Sequence, residues 1–259
     1  MNEEPVRAGR VALLAGAAEG AGLATAVRLA ASGMDIALVD PGPRAPAEEA
    51  LRRIGATGRR CVTVAADPSD TAAFSAALAH VRSVLGRPSV LLTCVGGTED
   101  AGNDHGGAAE RYAAARRALR TLFVTNRAVA REMLRGGGRI LNVVRPSSPE
   151  RGGGRGDRTV VAGTAGFTAS LAPELAPLGI TVHFAAPAGL RPGARPPIGA
   201  PPPTDTGSYP DDIAQYALFL LDGPSAALSG QGAYLSGSPM ARWPAPATTP
   251  TSRGTVATS

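Results

Sequence analysis

The feature that most constrains the fold of this chain is the regular alternation of short apolar runs with longer alanine-rich runs. Short apolar runs bounded by turn residues predict strands, and longer runs with apolar residues at helical spacing predict helices. The predicted strands cover residues 11–15, 35–39, 61–65, 89–94, 139–144, 180–185 and 231–235. The predicted helices cover residues 20–32, 47–54, 71–85, 108–134, 160–178 and 211–221. Alternating strands and helices form a parallel sheet, so we expect an α/β fold: a doubly wound sheet of about seven strands with helices on both faces.

Three stretches interrupt this alternation. Residues 145–158 are rich in glycine and arginine, residues 187–210 in proline, and residues 238–259 in proline, threonine and serine. A stretch of low apolar content without periodicity is typical of disorder. With 259 residues, 44% of them apolar, the chain is long enough for one large core. We therefore predict a single domain over residues 1–237 and a disordered tail over residues 238–259.

The composition disfavours several classes of protein. There is no apolar run of about eighteen residues that would predict a membrane span, and the charged start at Met1 lacks the apolar core of a secretory signal. Cys61 and Cys94 each lie inside an apolar run, which indicates buried free thiols in a cytoplasmic protein. No spacing of His, Cys or acidic residues predicts a metal site.

The basic residues do not indicate a nucleic-acid partner. The net charge is +5, and all 26 basic residues are arginine. These arginines are scattered, and aromatic residues make up only 4% of the chain, so the sequence shows no platform on which bases could stack. A GC-rich genome, which favours Arg, Ala, Gly and Pro codons together, accounts for the bias.

A glycine-rich turn follows the first predicted strand and contains Gly16, Gly20 and Gly22. Glycines let the backbone approach a pyrophosphate closely, and the free N–H groups at the start of the next helix face the anion. Asp40 follows the second predicted strand, where a carboxylate accepts hydrogen bonds from the ribose of a dinucleotide. The same residues would suit a plain strand–helix turn. The strand, the glycines, the helix and the acidic residue nevertheless follow one another at the spacing of a dinucleotide motif, which favours a Rossmann-type dinucleotide site. Asp40 would repel a 2′-phosphate, so we expect NAD(H) in preference to NADP(H), although the nearby Arg44 leaves NADP(H) open.

The spacing Gly-x-x-x-Gly-x-Gly resembles that of the short-chain dehydrogenase/reductase family, and later segments resemble it too. Asp67 follows the third strand, where the family places an Asp near the adenine. Residues 93–96 read Thr-Cys-Val-Gly where the family has Asn-Asn-Ala-Gly, and residues 136–143 resemble the fifth strand of the family. The resemblance covers about residues 10–238 and implies a Rossmann-type fold. The dinucleotide-binding residues that we predict are Gly16, Gly20, Ala21, Gly22, Asp40, Asp67, Val95 and Gly96.

The resemblance also implies where the catalytic tetrad of the family would lie. In the family a Tyr exchanges the proton during hydride transfer, a Lys lowers the pKa of that Tyr, a Ser polarises the carbonyl, and an Asn holds a relay water. In this chain the Tyr and Lys positions are Asp157 and Val161, the Ser position is Arg145, and the Asn position is Ala118. The chain contains no lysine, and its four tyrosines lie outside the segment that leads into the catalytic helix. The resemblance therefore implies that the residues that bind the nucleotide are retained and that the four catalytic residues are replaced.

Three functions are compatible with this pattern. The first is a non-catalytic or scaffold subunit that pairs with an active paralogue, because in the family the helices near residues 108–134 and 160–178 pack against a neighbour in a homo- or hetero-oligomer. The second is an atypical NAD(P)-dependent oxidoreductase that takes its proton from the substrate or from water. The third is a non-redox enzyme, such as a cyclase or dehydratase, that reuses the pocket. The composition is compatible with specialised metabolism.

A few polar residues are further candidates for the site. The loop over residues 145–158 could bind an anionic, carrier-bound substrate through its arginines, or it could be a solvated insertion. Among these arginines we expect Asp157 to be ion-paired or solvated rather than a catalytic acid. His105 is predicted to lie in a loop at the ligand-binding edge of the sheet, and His183 to be packed within the sixth strand.

Overall fold

Seven strands and six α-helices alternate along the described part of the chain. The computed structural model describes residues 9–18, 20–42, 44–96, 107–145, 155–192, 209–222 and 225–235. The strands are β1 (Val11–Ala15), β2 (Asp35–Asp40), β3 (Cys61–Ala65), β4 (Pro88–Gly96), β5 (Gly138–Arg145), β6 (Ile180–Pro187) and β7 (Gly232–Leu235). The helices are α1 (Gly20–Ala31), α2 (Arg44–Gly55), α3 (Thr71–Val84), α4 (Ala108–Met133), α5 (Arg155–Leu175) and α6 (Tyr209–Asp222).

All seven strands lie in one parallel sheet with the order β3-β2-β1-β4-β5-β6-β7. From β1 the chain winds outward to β3 and then crosses back to β4, which pairs with the other side of β1. The strand order therefore reverses between β1 and β4. In open parallel sheets the crevice outside the carboxyl ends of such strands is where ligands bind. The predicted α/β, doubly wound Rossmann-type fold is confirmed.

Helices cover both faces of the sheet, which is why the central strands are apolar throughout rather than alternating. All five residues of β1 are buried. On one face α1, α2 and α6 pack on the sheet through residues such as Leu29, Ile54 and Ile213. On the other face α3, α4 and α5 pack on it through residues such as Phe74, Val129 and Ala172.

The helix predicted over residues 160–178 is wrong at both ends, since α5 runs from Arg155 to Leu175. Its start was hidden because the first turn lies in a glycine- and arginine-rich stretch with no apolar periodicity, and Asp157 in that turn interacts favourably with the positive helix end. Its end is set by Pro177, which lies in a short 3-10 turn over Ala176–Leu178, and by Gly179, which adopts a left-handed φ of 70°. Most of the predicted loop, residues 146–154, lies outside the described residues, as do His105 and the predicted tail.

Candidate functional site

A cavity of about 740 Å³ lies at the carboxyl ends of the central strands and is walled on one side by α4 and the start of α5. Five of the residues predicted to bind a dinucleotide line it: Gly16, Asp40, Asp67, Val95 and Gly96. Three of the predicted tetrad positions line it as well, namely Ala118, Arg145 and Asp157. Gly20, Ala21, Gly22 and Val161 are not among its lining residues. The structure thus brings most of the predicted site residues to one crevice at the reversal point of the sheet.

The glycines of the β1–α1 turn are required by its geometry. Gly16 adopts a φ of 66°, and a Cβ there would lie 2.7 Å from the carbonyl oxygen of Cys94. A Cβ on Gly22 would lie 2.5 Å from the Cα of Ala17, so no larger residue fits without displacing the turn. Gly20 adopts a φ of 53° with no atom within 4 Å of its Cβ position, so the space beside the start of α1 is open.

The first turn of α1 contains no acidic residue. Its unpaired N–H groups and positive end therefore suit an anion, and the tight turn with its open side fits a pyrophosphate.

Asp40 is held at the end of β2 by two backbone donors. The Ala18 N–H donates to Oδ2 at 3.3 Å, and the Gly42 N–H donates to Oδ1 at 2.9 Å. A carboxylate has about four acceptor sites, so both oxygens keep capacity for the hydroxyls of a ribose. The side chain of Arg44, the residue that left NADP(H) open, lies outside the described part of the chain.

Asp67 adds a second carboxylate at the same end of the cavity. Its Oδ1 accepts a hydrogen bond from the Ser69 N–H at 2.8 Å. Burial alone would raise the pKa of Asp67, but the hydrogen bonds from Ser69 and the charges of Arg117 and Arg120 outweigh burial and hold that pKa below its ordinary value. Asp67 therefore presents an ionised acceptor for hydroxyl and amino donors at this end of the cavity.

Two of the four predicted tetrad positions carry buried apolar side chains, Ala118 on the wall of the cavity and Val161 behind it. Ala118 is 6% exposed and Val161 is 1% exposed. Both belong to one hydrophobic cluster with Val95, Val144 and Val160, which joins the ends of β4 and β5 to α4 and α5. Hydrocarbon packing thus occupies the places to which the family resemblance assigned an amide and an ammonium group.

The other two tetrad positions carry charges. The Nη2 of Arg145 donates to the carbonyl oxygen of Gly96 at 3.3 Å, which holds the guanidinium across the end of β4. Asp157 is 3% exposed, in the first turn of α5. It has an interaction partner in the fold. Of the two alternatives predicted for it, an ion pair or a solvated loop, the solvated loop is wrong, because Asp157 is a buried helical residue beside the cavity.

No tyrosine side chain that the structure describes lines the cavity. Tyr112 is 70% exposed on α4. Tyr216 is packed in α6, and burial raises its pKa to about 12. The Tyr234 ring packs edge-on against Phe184, with the centroids 5.7 Å apart.

The prediction that His183 is packed within a strand is confirmed. His183 lies in β6 and is fully buried, and it does not line the cavity. Burial and the positive charge of Arg139 lower its pKa to about 4, so it is neutral near neutral pH.

A buried polar network behind the cavity was not predicted from the sequence. Asn126 of α4 and Asn142 of β5 exchange amide hydrogen bonds of 2.9 and 3.2 Å. Asn142 also donates to the Thr168 hydroxyl of α5 at 3.4 Å, and the hydroxyls of Thr93 and Thr125 lie 3.0 Å apart. The network ties β4, α4, β5 and α5 together directly behind the site. Polar residues in the middle of apolar runs were the only signal for it.

Two features are absent from the described ranges. No group of three or more His, Cys, Asp or Glu side chains is arranged there to hold a metal ion. None of the helices in those ranges has the length and apolar character needed to cross a membrane.

Comparison with known proteins places the fold and the sequence in one family. The family model described as short chain dehydrogenase matches residues 10–200. The short-chain dehydrogenase/reductase family member NovK of Streptomyces niveus is 40% identical over 227 residues, which is 86% of this chain and 93% of the relative. The (2S)-[(R)-hydroxy(phenyl)methyl]succinyl-CoA dehydrogenase subunit BbsD of Thauera aromatica is 30% identical over 254 residues, covering 88% of this chain and 95% of the relative.

A solved structure supports the same fold. The citronellol catabolism dehydrogenase AtuB of Pseudomonas aeruginosa superposes with a TM-score of 0.71 at 22% identity, covering 91% of this chain and 97% of that protein. At this identity the likeness concerns the fold alone. With the seven-stranded sheet, the glycine turn and the match over residues 10–200, these findings establish that the chain belongs to the short-chain dehydrogenase/reductase family.

Proposed function

We propose that this chain is a non-catalytic subunit of the short-chain dehydrogenase/reductase type that assembles with a catalytically competent relative. The observation that carries this proposal is the burial of Ala118 and Val161 in one apolar cluster, at the positions where the family resemblance places the relay Asn and the catalytic Lys. A polar relay at these positions would need water or hydrogen-bonding partners, and burying such groups among hydrocarbon without partners costs several kcal/mol, about 2–7 for a neutral group.

The ionisable groups around the cavity support the proposal. Those that line it are carboxylates, arginines and Cys94, with no histidine, tyrosine or lysine among the described residues. Burial, opposed by the charge of Arg145 and assisted by that of Asp40, raises the pKa of Cys94 to about 11. A general acid or base is most effective when its pKa lies near the working pH, and this thiol is far from it.

The heteromeric part of the proposal has support from a relative. By its name, BbsD is a subunit of a dehydrogenase. A chain of this family can thus be one component of a larger enzyme. In this chain we assign the contact with the partner to α4 and α5, which lie side by side on one face of the sheet.

We also propose that the glycine turn and the two carboxylates bind a dinucleotide, and that NAD(H) is preferred to NADP(H). The cofactor supplies hydride chemistry when it is bound in a competent family member. The residues of this chain would hold the pyrophosphate at the start of α1 and the adenosine ribose at Asp40. Asp40 and Asp67 together would repel the additional phosphate of NADP(H). A ligand that binds only the folded state stabilises it, so the nucleotide would act here as a structural component.

The experiment is co-expression of the full chain with a paralogue from the same genome that retains the Tyr and Lys of the family. We expect a stoichiometric complex, no consumption of NADH or NADPH by the chain alone on the substrate of the paralogue, and greater activity or stability of the paralogue in the complex. Turnover by the chain alone would refute the proposal. Calorimetric titration with NADH and NADPH measures nucleotide binding separately from turnover.

A second candidate function is an atypical oxidoreductase that draws its proton from the substrate or from water. It is favoured by the size of the cavity, which extends from Asp40 to Asp157 and measures about 740 Å³. Such a cavity lies within the range of about 300–1,000 Å³ that ligand pockets show. The same turnover assay separates the two candidates, because only the second predicts hydride transfer by the chain alone.

A further inference from the structure

The solvent side of α4 carries aromatic and cationic side chains that no other part of the described chain covers. Tyr112 is 70% exposed and Phe123 is 53% exposed. Arg116, Arg127 and Arg131 are exposed on the same helix, and the guanidinium of Arg127 lies 5.9 Å from the ring centroid of Phe123. With 3.6 residues per turn these positions fall on one side of the helix. We call these five residues the arginine stripe.

The charge of the arginine stripe is not compensated within the fold. None of its three arginines forms an ion pair with a residue in the ranges that the structure describes. The acidic residues of α4 are Glu110 and Glu132. Glu110 accepts a hydrogen bond from the Gly107 N–H at 3.2 Å and lines the cavity. Glu132 has a side chain that is only 15% exposed and pairs with Arg82 and Arg87.

The neighbouring helix α5 offers a flat surface beside the stripe. Its exposed residues include Ala162, Gly166 and Ala169, and a Cβ on Gly166 would meet no atom within 4 Å. The two helices are in close contact, since a Cβ on Gly163 would lie 2.6 Å from a methyl carbon of Leu119. A partner helix can therefore approach α5 closely while it contacts the side chains that project from α4.

We propose that this face of α4 and α5 docks a helical protein surface whose carboxylates lie opposite Arg116, Arg127 and Arg131, and that it selects such a partner over a second copy of this chain. The inference rests on the proposed function, because it specifies the surface of the partner subunit. Tyrosine, phenylalanine and arginine are among the residues in which protein interfaces are enriched.

The selection follows from symmetry and charge. A twofold pairing of two identical chains puts the same patch of each copy against the other. Two arginine stripes would then face one another, and like charges set together across an interface oppose binding. A partner with glutamates or aspartates at the facing positions removes this repulsion and replaces it with attraction.

The test uses a charge-reversed copy of this chain as the acidic partner. The full wild-type chain is immobilised at low density, and its binding is measured by biolayer interferometry to three analytes: the wild type, the Arg116→Glu/Arg127→Glu variant, and an Arg52→Glu/Arg53→Glu control. The control makes the same change of net charge on α2, away from the stripe. Circular dichroism and thermal denaturation of each variant establish that it is folded.

We expect the Arg116→Glu/Arg127→Glu analyte to bind the wild type at least about tenfold more tightly than the other two analytes in about 50 mM salt, and the difference to shrink in about 500 mM salt as the charges are screened. Equal binding by the wild type and the stripe variant would overturn the proposal. An equal gain by the α2 control would also overturn it, since the effect would then reflect net charge alone.

A nucleic-acid partner is the competing occupant. If duplex DNA or a structured RNA binds the wild type and loses that binding with the stripe variant but not with the α2 control, the surface is a nucleic-acid site and the proposal is wrong. The measurement uses no cofactor and no substrate. Turnover by the chain alone would therefore refute the non-catalytic role without affecting the binding result. Equal binding by the wild type and the stripe variant would refute the selection of an acidic partner without affecting the non-catalytic role.

Discussion

Gly22 illustrates how the absence of a single side chain shapes the candidate nucleotide site. The start of α1 packs against the turn that leaves β1, and a Cβ at Gly22 would lie 2.5 Å from the Cα of Ala17. The contact is with backbone, which cannot rotate away as the end of a side chain can. The glycine therefore brings the N-terminus of α1 close to the strand end where an anion would lie.

Replacing Gly22 by alanine is expected to lower the free energy of unfolding by about 1–3 kcal/mol, because the added methyl group forces the turn and the helix apart. Urea denaturation measures this change. The matched control is Gly55→Ala at the end of α2, where a Cβ would meet no atom within 4 Å. If both variants are equally stable, the turn is looser than its geometry indicates.

Asp35 shows how a buried charge is tolerated at the start of β2. Its side chain is 1% exposed and accepts hydrogen bonds from Arg60 at 2.6 Å and from Arg59 at 2.9 Å. Burial would raise the pKa of Asp35, but the hydrogen bonds from Arg60 and the charges of Arg59 and Arg60 together hold that pKa below its ordinary value of 3.8.

Substitution Asp35→Asn should lower the free energy of unfolding by about 1–3 kcal/mol at neutral pH. We expect a value in the lower part of this range, because both arginines are partly exposed to solvent. Since the pKa is lower in the folded state, the stabilisation is complete above the unfolded-state value and is lost as the pH falls through the folded-state value. The stability gap between wild type and variant, measured by urea denaturation, should thus close below about pH 4. A gap that stays constant in acid would show that the charge contributes nothing.

At the scale of secondary-structure elements, Asn126 and Asn142 join α4 to β5 behind the cavity. Both side chains are fully buried, and each amide donates to the carbonyl oxygen of the other. A buried polar pair of this kind is costly to break from one side, because the remaining group keeps its desolvation penalty without a partner.

A double-mutant cycle tests this pair. We expect Asn142→Leu to cost about 1–3 kcal/mol of stability, and the Asn126→Leu/Asn142→Leu double variant to cost clearly less than the sum of the two single changes. The coupling should exceed about 0.5 kcal/mol by chemical denaturation. Additive effects would mean that the two amides act independently.

Most strands and helices could be predicted from the sequence, and the bounds that were right and wrong have identifiable causes. The strands stand out as short apolar runs between turn residues, and both β1, which is buried throughout, and the half-buried edge strand β3 match their predicted bounds. The start of α5 was missed because a helix whose first turn contains Arg155, Gly156 and Asp157 shows no apolar periodicity.

At the candidate site, the glycine turn and Asp40 could be predicted because their chemistry follows directly from a strand–turn–helix pattern. On the α4 wall of the cavity only Ala118 was predicted, through the family resemblance; Glu110, Arg111 and Thr121 were not, because their place depends on how α4 lies over the sheet. Tertiary packing of this kind leaves no short-range signal in the sequence.

At the scale of the whole molecule, the crevice has two unlike ends. One end presents glycines and two carboxylates. At the other end Arg145 and Asp157 lie beside Ala118, which belongs with Val161 to an apolar cluster of the core. The proposed non-catalytic role predicts this difference between the two ends, because the apolar side chains of Ala118 and Val161 cannot transfer protons.

The most direct test of this account is the stability of Val161→Lys at neutral pH, measured by urea denaturation against Val84→Lys as its matched control. Val161 is 1% exposed on α5, whereas Val84 is 45% exposed on α3. If position 161 belongs to the core, an ammonium there should cost about 3 kcal/mol or more, while Val84→Lys should change stability by less than about 0.5 kcal/mol. Equal stability of the two variants would show that the catalytic end is open to water and would contradict the account.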